Sequence, residues 1–110
     1  MHRQHYHRRG LTLTELLVVV SLVVLLAAIL LPAAFWLGEN AIERSLLIIP
    51  VLLVLIVELI NSAIEAAIDR IGTDRHPLSG QAKDIGSAAV MISLMLCVTC
   101  WGLQIVERLR

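Results

Sequence analysis

The sequence predicts an all-α integral membrane protein in which three transmembrane helices form a bundle. The first observation is composition: 58% of the 110 residues are hydrophobic and 16% are charged, with a mean hydropathy of +0.85. A soluble domain carries about 25% charged and about 45–50% apolar residues. The second observation is that the apolar residues fall into three long runs. The nine basic and nine acidic residues balance, which excludes the basic excess typical of nucleic-acid-binding proteins.

The first apolar run extends from Leu16 to Leu37 and is broken only by Ser21 and Pro32. A hydrocarbon core of roughly 30 Å requires about 20 helical residues, so this run is long enough for one span. We therefore predict the first transmembrane helix over residues 11–37. The short polar segment Gly38–Asn40 then forms a turn.

The second helix is predicted from Ala41 to about Arg70. Its apolar part, residues 46–60, continues without a helix breaker into a more polar segment, so the second half leaves the apolar slab. A third span is predicted over residues 85–106. Between these two helices, residues 72–80 contain a proline and two glycines, which predict a loop that ends both helices.

The basic residues indicate how the spans are oriented. Six of them lie before the first span or between the second and third, and three lie on the other side; the two groups are Arg3, Arg8, Arg9, Arg70, Arg75 and Lys83, and Arg44, Arg108 and Arg110. Loops on the cytoplasmic side are enriched in Lys and Arg. The sequence therefore predicts a cytoplasmic N-terminus and an extracytoplasmic C-terminus.

The second helix carries polar residues at intervals of three, four and four: Glu58, Asn61, Glu65 and Asp69. At 100° per residue they fall within about 80° of one another, on one face of the helix. A second polar group opens the third span at the same end of the bundle: Lys83, Asp84 and Ser87. Ionisable residues within membrane helices are costly and indicate function by default.

These residue types fit phosphoryl transfer. Several carboxylates on one face repel one another, and Mg²⁺, which binds through one or two carboxylates and substrate phosphates, relieves that repulsion. Lys83 supplies a point charge for phosphate oxygens. Glu58 lies deepest in the apolar region and is a candidate proton acceptor for a hydroxyl group of a lipid. The alternative is an ion-paired structural seam between helices.

Two segments closely resemble the prokaryotic diacylglycerol kinase family: Val57-Glu-Leu-Ile-Asn-Ser-Ala-Ile-Glu-Ala-Ala-Ile-Asp-Arg-Ile-Gly72 and Leu78-Ser-Gly-Gln-Ala-Lys-Asp-Ile-Gly-Ser-Ala-Ala89. The resemblance extends from about Phe35 to the C-terminus. It implies a three-helix kinase of the bacterial inner membrane that assembles as a homotrimer. It also implies that the protein uses ATP with Mg²⁺ to phosphorylate diacylglycerol, which gives phosphatidic acid.

The resemblance also implies roles for individual residues. Glu58 corresponds to the family's proton acceptor and Glu65 to its metal-binding glutamate. The residues that correspond to nucleotide contacts are Glu65, Asp74, Arg75, His76, Lys83 and Asp84. Those near the lipid substrate are Trp36, Arg44, Glu58, Ser87 and Trp101, and Asn61 and Asp69 line the site. Trp36 and Trp101 could equally be interfacial anchors, and we favour that interpretation for Trp101.

The N-terminal third departs from this family. A second metal-binding glutamate at the start of the family's first span falls on Leu17 here, and Glu15 lies about 200° further round the helix. Residues 1–34 instead resemble a type IV prepilin or pseudopilin, with basic residues, Gly10 and Glu15 before the apolar helix. This implies a leader over residues 1–10 that prepilin peptidase removes after Gly10.

The replaced N-terminus predicts weak rather than full kinase activity for the diacylglycerol kinase-like residues 38–110. Two alternatives stay open at this point. One is a pilin-like or structural membrane protein in which the kinase portion is inert. The other is undecaprenol kinase, which belongs to the same superfamily and uses a different lipid acceptor.

Overall fold

The computed structural model describes residues 13–72 and 76–110, and these ranges form three α-helices. Helix α1 runs Leu13–Leu37, α2 runs Ala41–Ile71 and α3 runs Pro77–Leu109. All three are long and apolar enough to cross a membrane. The predicted all-helical architecture with three candidate spans is confirmed. The predicted leader over residues 1–10 and two predicted site residues, Asp74 and Arg75, lie outside the described residues.

The turn between α1 and α2 lies where the sequence predicts it. The backbone N–H of Gly38 donates to the carbonyl of Ala34 at 2.9 Å, and Arg44 Nε donates to the carbonyl of Gly38 at 3.1 Å. A Cβ atom at Gly38 would lie 2.6 Å from Arg44 Cγ, so glycine permits this close approach. Asn40 caps α2, because its Oδ1 accepts a hydrogen bond from the Glu43 N–H at 2.9 Å.

The start of α3 corrects the predicted loop over residues 72–80. Helix α3 begins at Pro77, so residues 77–80 are helical and Pro77 opens the helix instead of preventing it. Proline fits the first helical position because the N–H that it lacks would have no partner there. His76 is the N-cap, and its Nδ1 accepts a hydrogen bond from the Leu78 N–H at 3.1 Å.

Helix α2 packs against both other helices. Apart from Pro50, its buried residues recur at intervals of four and three: Leu47, Val51, Val54, Glu58, Asn61 and Glu65. This alternation is the 3.5-residue repeat of helices that pack along a shared seam. The seam is apolar in its first half and polar in its second, and we call the second half, Glu58–Asn61–Glu65, the polar seam.

The outer surface of the bundle is largely apolar. Many large hydrophobic side chains are exposed on all three helices. One of them is Trp36, which lies near the C-terminal end of α1 and is 79% exposed. Exposed apolar surface of this extent is typical of a protein that contacts lipid or further subunits. At the same end, Arg108 donates to the carbonyl of Leu37 and pairs with Glu39 at 3.5 Å, which joins the ends of α1 and α3.

Candidate functional site

The polar seam is deeply buried within the bundle. Glu58, Asn61 and Glu65 are 3%, 7% and 2% exposed, and Asp69, one turn further along α2, is partly buried. The prediction that these four residues share one face of a helix is confirmed. Buried carboxylates require a partner, because desolvating an isolated charge costs several kcal/mol.

Lys83 on α3 supplies that partner for two of the carboxylates. Its Nζ atom lies 2.9 Å from Asp69 Oδ1 and donates a hydrogen bond to it, and it lies 3.4 Å from Glu65 Oε1. Lys83 is itself 6% exposed. The polar residues of α2 and α3, which were predicted to lie at the same end of the bundle, are therefore in contact. Lys83 was predicted to bind phosphate oxygens, whereas in the structure its ammonium group is held by carboxylates.

The close approach of α2 and α3 depends on Gly86. A Cβ atom at this position would lie 2.2 Å from Asn61 Oδ1, which is shorter than any tolerated contact. Asn61 Oδ1 is buried and has no hydrogen-bond donor among the described residues. The missing side chain of Gly86 therefore makes the space that the Asn61 amide occupies.

We expect Gly86→Ala to lower the free energy of unfolding by about 1–3 kcal/mol, because overpacking a closely packed contact costs this much. The Asn61 amide would have to rotate or α3 would have to move away from α2. Denaturant-induced unfolding of the purified protein in detergent, followed by circular dichroism, measures the change.

Gly80→Ala is the matched control, since it lies on the same helix and an added Cβ there meets nothing within 4 Å. Alanine in a helix interior is more stable than glycine by about 0.5–1 kcal/mol, so this control is expected to be neutral or stabilising. Equal stability of the two variants would contradict the role given to Gly86.

Glu58 lies one turn before Asn61, at the end of the polar seam that is further from Lys83. Ser62 Oγ donates a hydrogen bond to Glu58 Oε2 at 3.3 Å. No ion pair among the described residues involves Glu58. Ser62 is not among the predicted site residues; a hydroxyl four residues after a buried glutamate on one helix is the signal that would have identified it.

The remaining predicted site residues occupy different places. Asp84 and Ser87 are exposed on α3, and exposed His76 caps that helix. Arg44 lies 14 residues before Glu58, about 21 Å along the axis of α2, and bonds to the α1–α2 turn.

Trp101 is partly buried, and its indole N–H donates to the carbonyl of Leu47 at 3.0 Å. Trp101 thus has a defined contact between helices, which the anchor interpretation did not foresee.

The Leu47 carbonyl lies in the turn of α2 that precedes Pro50. A proline inside a helix has no N–H to donate to the carbonyl four residues earlier, which is that of Leu46 here. The Trp101 indole bonds to the next carbonyl along and so joins α3 to the apolar half of the α2 seam.

The carboxylates of the polar seam are the candidate ligands for Mg²⁺, which prefers oxygen ligands. Within residues 13–72 and 76–110, no three His, Cys, Asp or Glu side chains are grouped so as to hold a metal ion. Glu65 Oε1 is buried and accepts no hydrogen bond, and the Lys83 ammonium group lies 3.4 Å from it. A single carboxylate fits an ion that takes its other ligands from water and phosphate groups, and it does not fit a metal held by protein alone.

Comparison with known proteins identifies the family. The sequence profile of the family described as prokaryotic diacylglycerol kinase matches residues 11–105, which includes α1 as well as the segments that carry the resemblance. The chain belongs to this family. Residues 1–10 lie outside the match, and the prepilin-like leader stays a prediction.

Individual members of the prokaryotic diacylglycerol kinase family are similar over most of the chain. The diacylglycerol kinase of Haemophilus influenzae is 57% identical over 77 residues, which are 70% of this chain and 65% of the relative. That of Escherichia coli K12 is 56% identical over 78 residues, or 71% of this chain and 62% of the relative. That of Helicobacter pylori 26695 is 45% identical over 80 residues, or 73% and 62%. The chain therefore spans slightly less than two thirds of the length of these relatives.

Proposed function

We propose that this chain is a membrane lipid kinase that transfers the γ-phosphoryl group of ATP to diacylglycerol and so forms phosphatidic acid. The observation that carries the proposal is that α2 and α3 bury two different groups near one another. Glu58 is a buried carboxylate that forms no ion pair among the described residues, and Lys83 is a buried cation held by Glu65 and Asp69 about two turns further along α2. The family and the names of its similar members support a lipid kinase.

In the proposed reaction, Glu58 accepts the proton of the lipid hydroxyl while that oxygen attacks the γ-phosphorus. The bond from the γ-phosphorus to the bridging oxygen breaks, and ADP leaves with the bonding electrons. Burial of Glu58 excludes water that would compete for the phosphoryl group. Glu65 lies seven positions after Glu58 on α2, about 10 Å along the helix axis, so in this proposal the two carboxylates act at different atoms of the reacting groups.

The other polar residues would bind and orient the nucleotide. Lys83 would contact phosphate oxygens, with Asp69 and Glu65 holding its side chain in place between nucleotide-binding events. Glu65 would hold Mg²⁺ together with the phosphates, and the metal would supply charge neutralisation during transfer. Asp74, Arg75, His76 and Asp84 are proposed as further nucleotide contacts, and Trp36, Arg44, Ser87 and Trp101 as lipid contacts.

The position of Leu17 is the reason for proposing weak activity. Leu17 is 61% exposed on α1, whereas its neighbour Leu16 is buried at 3%. The residue at the family's second metal-binding position is therefore apolar and faces away from the bundle of a single chain. A homotrimer in the bacterial inner membrane, with a neighbouring subunit against this face, is the assembly that we propose.

A kinase assay on the purified protein in detergent tests the proposal. With ATP and Mg²⁺, we expect slow transfer of phosphate to diacylglycerol, and none when Mg²⁺ is chelated. If the protein phosphorylated undecaprenol in preference to diacylglycerol, it would be an undecaprenol kinase. Absence of transfer to either lipid by folded protein would reject the kinase and leave the structural alternative.

The proposed orientation can be tested separately in cells. Reporter fusions after Gly38 are expected to be active in the periplasm, and fusions between residues 73 and 79 in the cytoplasm, because six basic residues lie on the latter side. A fusion after Arg110 is the internal control and is expected to agree with the fusion after Gly38. The reverse pattern would place the polar seam on the side of the membrane without ATP and would contradict the proposal.

A further inference from the structure

Ser62 makes a hydrogen bond that differs from those of four other hydroxyl groups on these helices. Four hydroxyls donate to the backbone carbonyl three or four residues earlier: Ser21 to Leu17, Ser45 to Ala41, Ser93 to Val90 and Thr99 to Met95, at 2.7–2.8 Å. Such back-bonding is the usual behaviour of serine and threonine within a helix. Ser62 has the same option, since the carbonyl of Glu58 lies four residues earlier.

The Ser62 hydroxyl instead donates to the side chain of Glu58, at Oε2. The Glu58 carboxylate is 3% exposed, and the ion pairs of the described residues do not include it. A buried carboxylate without a hydrogen-bond donor would pay the full cost of desolvation. One donated hydrogen bond stabilises the group and restricts its rotation, and it leaves the other oxygen, Oε1, available.

We propose that Ser62 is a positioning residue for the proton acceptor. By holding Oε2, the hydroxyl directs Oε1 of Glu58 towards the substrate hydroxyl from which the proton is taken. This inference rests on the proposed function, because it assigns Ser62 a task in that reaction. In this role Ser62 would act through Glu58 and not on the substrate or the phosphates.

Loss of the Ser62 hydroxyl is expected to affect proton transfer and not substrate binding. A misdirected acceptor slows proton transfer, whereas it leaves the binding of lipid and nucleotide largely unchanged. A loss of Ser62 should therefore lower kcat and leave both KM values near those of the wild type. A hydrogen bond to a charged group contributes enough that its removal should lower kcat by about 10-fold or more.

The test compares Ser62→Ala, Ser62→Val and Ser62→Thr in the full-length protein in detergent. Threonine and valine have nearly the same shape, and only threonine keeps the hydroxyl. We expect kcat to fall by about 10-fold or more in the alanine and valine variants, and threonine to remain within about 3-fold of the wild type. Ser45→Ala, which removes a hydroxyl that bonds to the backbone, is the control and is expected to change neither kcat nor KM.

A second measurement examines the contact itself and does not depend on activity. The infrared carboxyl band that is lost in Glu58→Gln reports on the Glu58 side chain. This band is expected to shift in Ser62→Ala and Ser62→Val and to stay in place in Ser62→Thr and Ser45→Ala. If the wild type phosphorylates no lipid, the proposed function fails, and the infrared comparison still decides whether Ser62 holds Glu58.

Two results would overturn the inference. One is a wild-type kcat and an unshifted carboxyl band in Ser62→Ala. The other is an equal loss of kcat in the threonine and valine variants while circular dichroism shows both to be folded, because side-chain volume and not the hydroxyl would then be responsible.

Discussion

Replacement of Glu58 by glutamine is expected to lower kcat for lipid phosphorylation by about 10²–10⁴-fold, which is the usual contribution of a positioned general base. Glutamine keeps the shape and the hydrogen-bonding oxygen of the side chain but cannot accept the proton. The helices should remain intact, since no ion pair of the described residues involves Glu58 and its bond from Ser62 can pass to the amide oxygen.

Steady-state kinetics with radiolabelled ATP and circular dichroism of the same preparations measure the two effects separately. Glu43→Gln is the matched control on α2, because Glu43 Oε1 accepts a hydrogen bond from the Glu39 N–H and glutamine can accept it too. We expect this control to retain the activity of the wild type. If Glu58→Gln were active to within about 3-fold of the wild type, Glu58 would not be the proton acceptor.

Replacement of Lys83 by methionine is expected to lower the free energy of unfolding by about 3–5 kcal/mol, because it leaves buried charge uncompensated. Lys83 is the cation that the structure places against both Glu65 and Asp69, and methionine retains most of its length without the charge. The same change should raise the KM for ATP, because the contact with phosphate oxygens is lost.

A double-mutant cycle tests this interpretation. Glu65→Gln in the Lys83→Met background removes one of the repelling carboxylates, so it should restore part of the lost stability. Arg110→Met is the control for loss of a cation, since its pair with Glu107 is exposed and spans 3.6 Å. An exposed pair contributes about 0–1 kcal/mol. A destabilisation by Lys83→Met no larger than that of Arg110→Met would contradict the buried ion pair.

The sequence alone predicted much of the architecture. The three spans follow from the lengths of the apolar runs, and the bounds of α2 follow from the polar turn before it and Gly72 after it. The alignment of Glu58, Asn61, Glu65 and Asp69 on one face of α2 also follows directly from their spacing. These features depend only on the rise and rotation per residue of a regular helix, which are the same in every protein.

The start of α3 shows where the local signal was ambiguous. A proline ends a helix in most sequence contexts, yet it is also favoured at the first helical position. The sequence does not distinguish these two roles of Pro77, whereas the His76 cap and the hydrogen bond from the Gly80 N–H to the His76 carbonyl at 3.0 Å decide between them.

Only the tertiary structure decided which polar groups are partners. Lys83 pairs with Glu65 and Asp69, and Gly86 accommodates Asn61, because α2 and α3 pack in one particular register and rotation. That register is a property of all the side chains along the interface, including the Trp101 bond to Leu47, and no short segment encodes it. The choice of Ser62 between a carbonyl and the Glu58 carboxylate likewise depends on burial, which arises only when the helices are packed together.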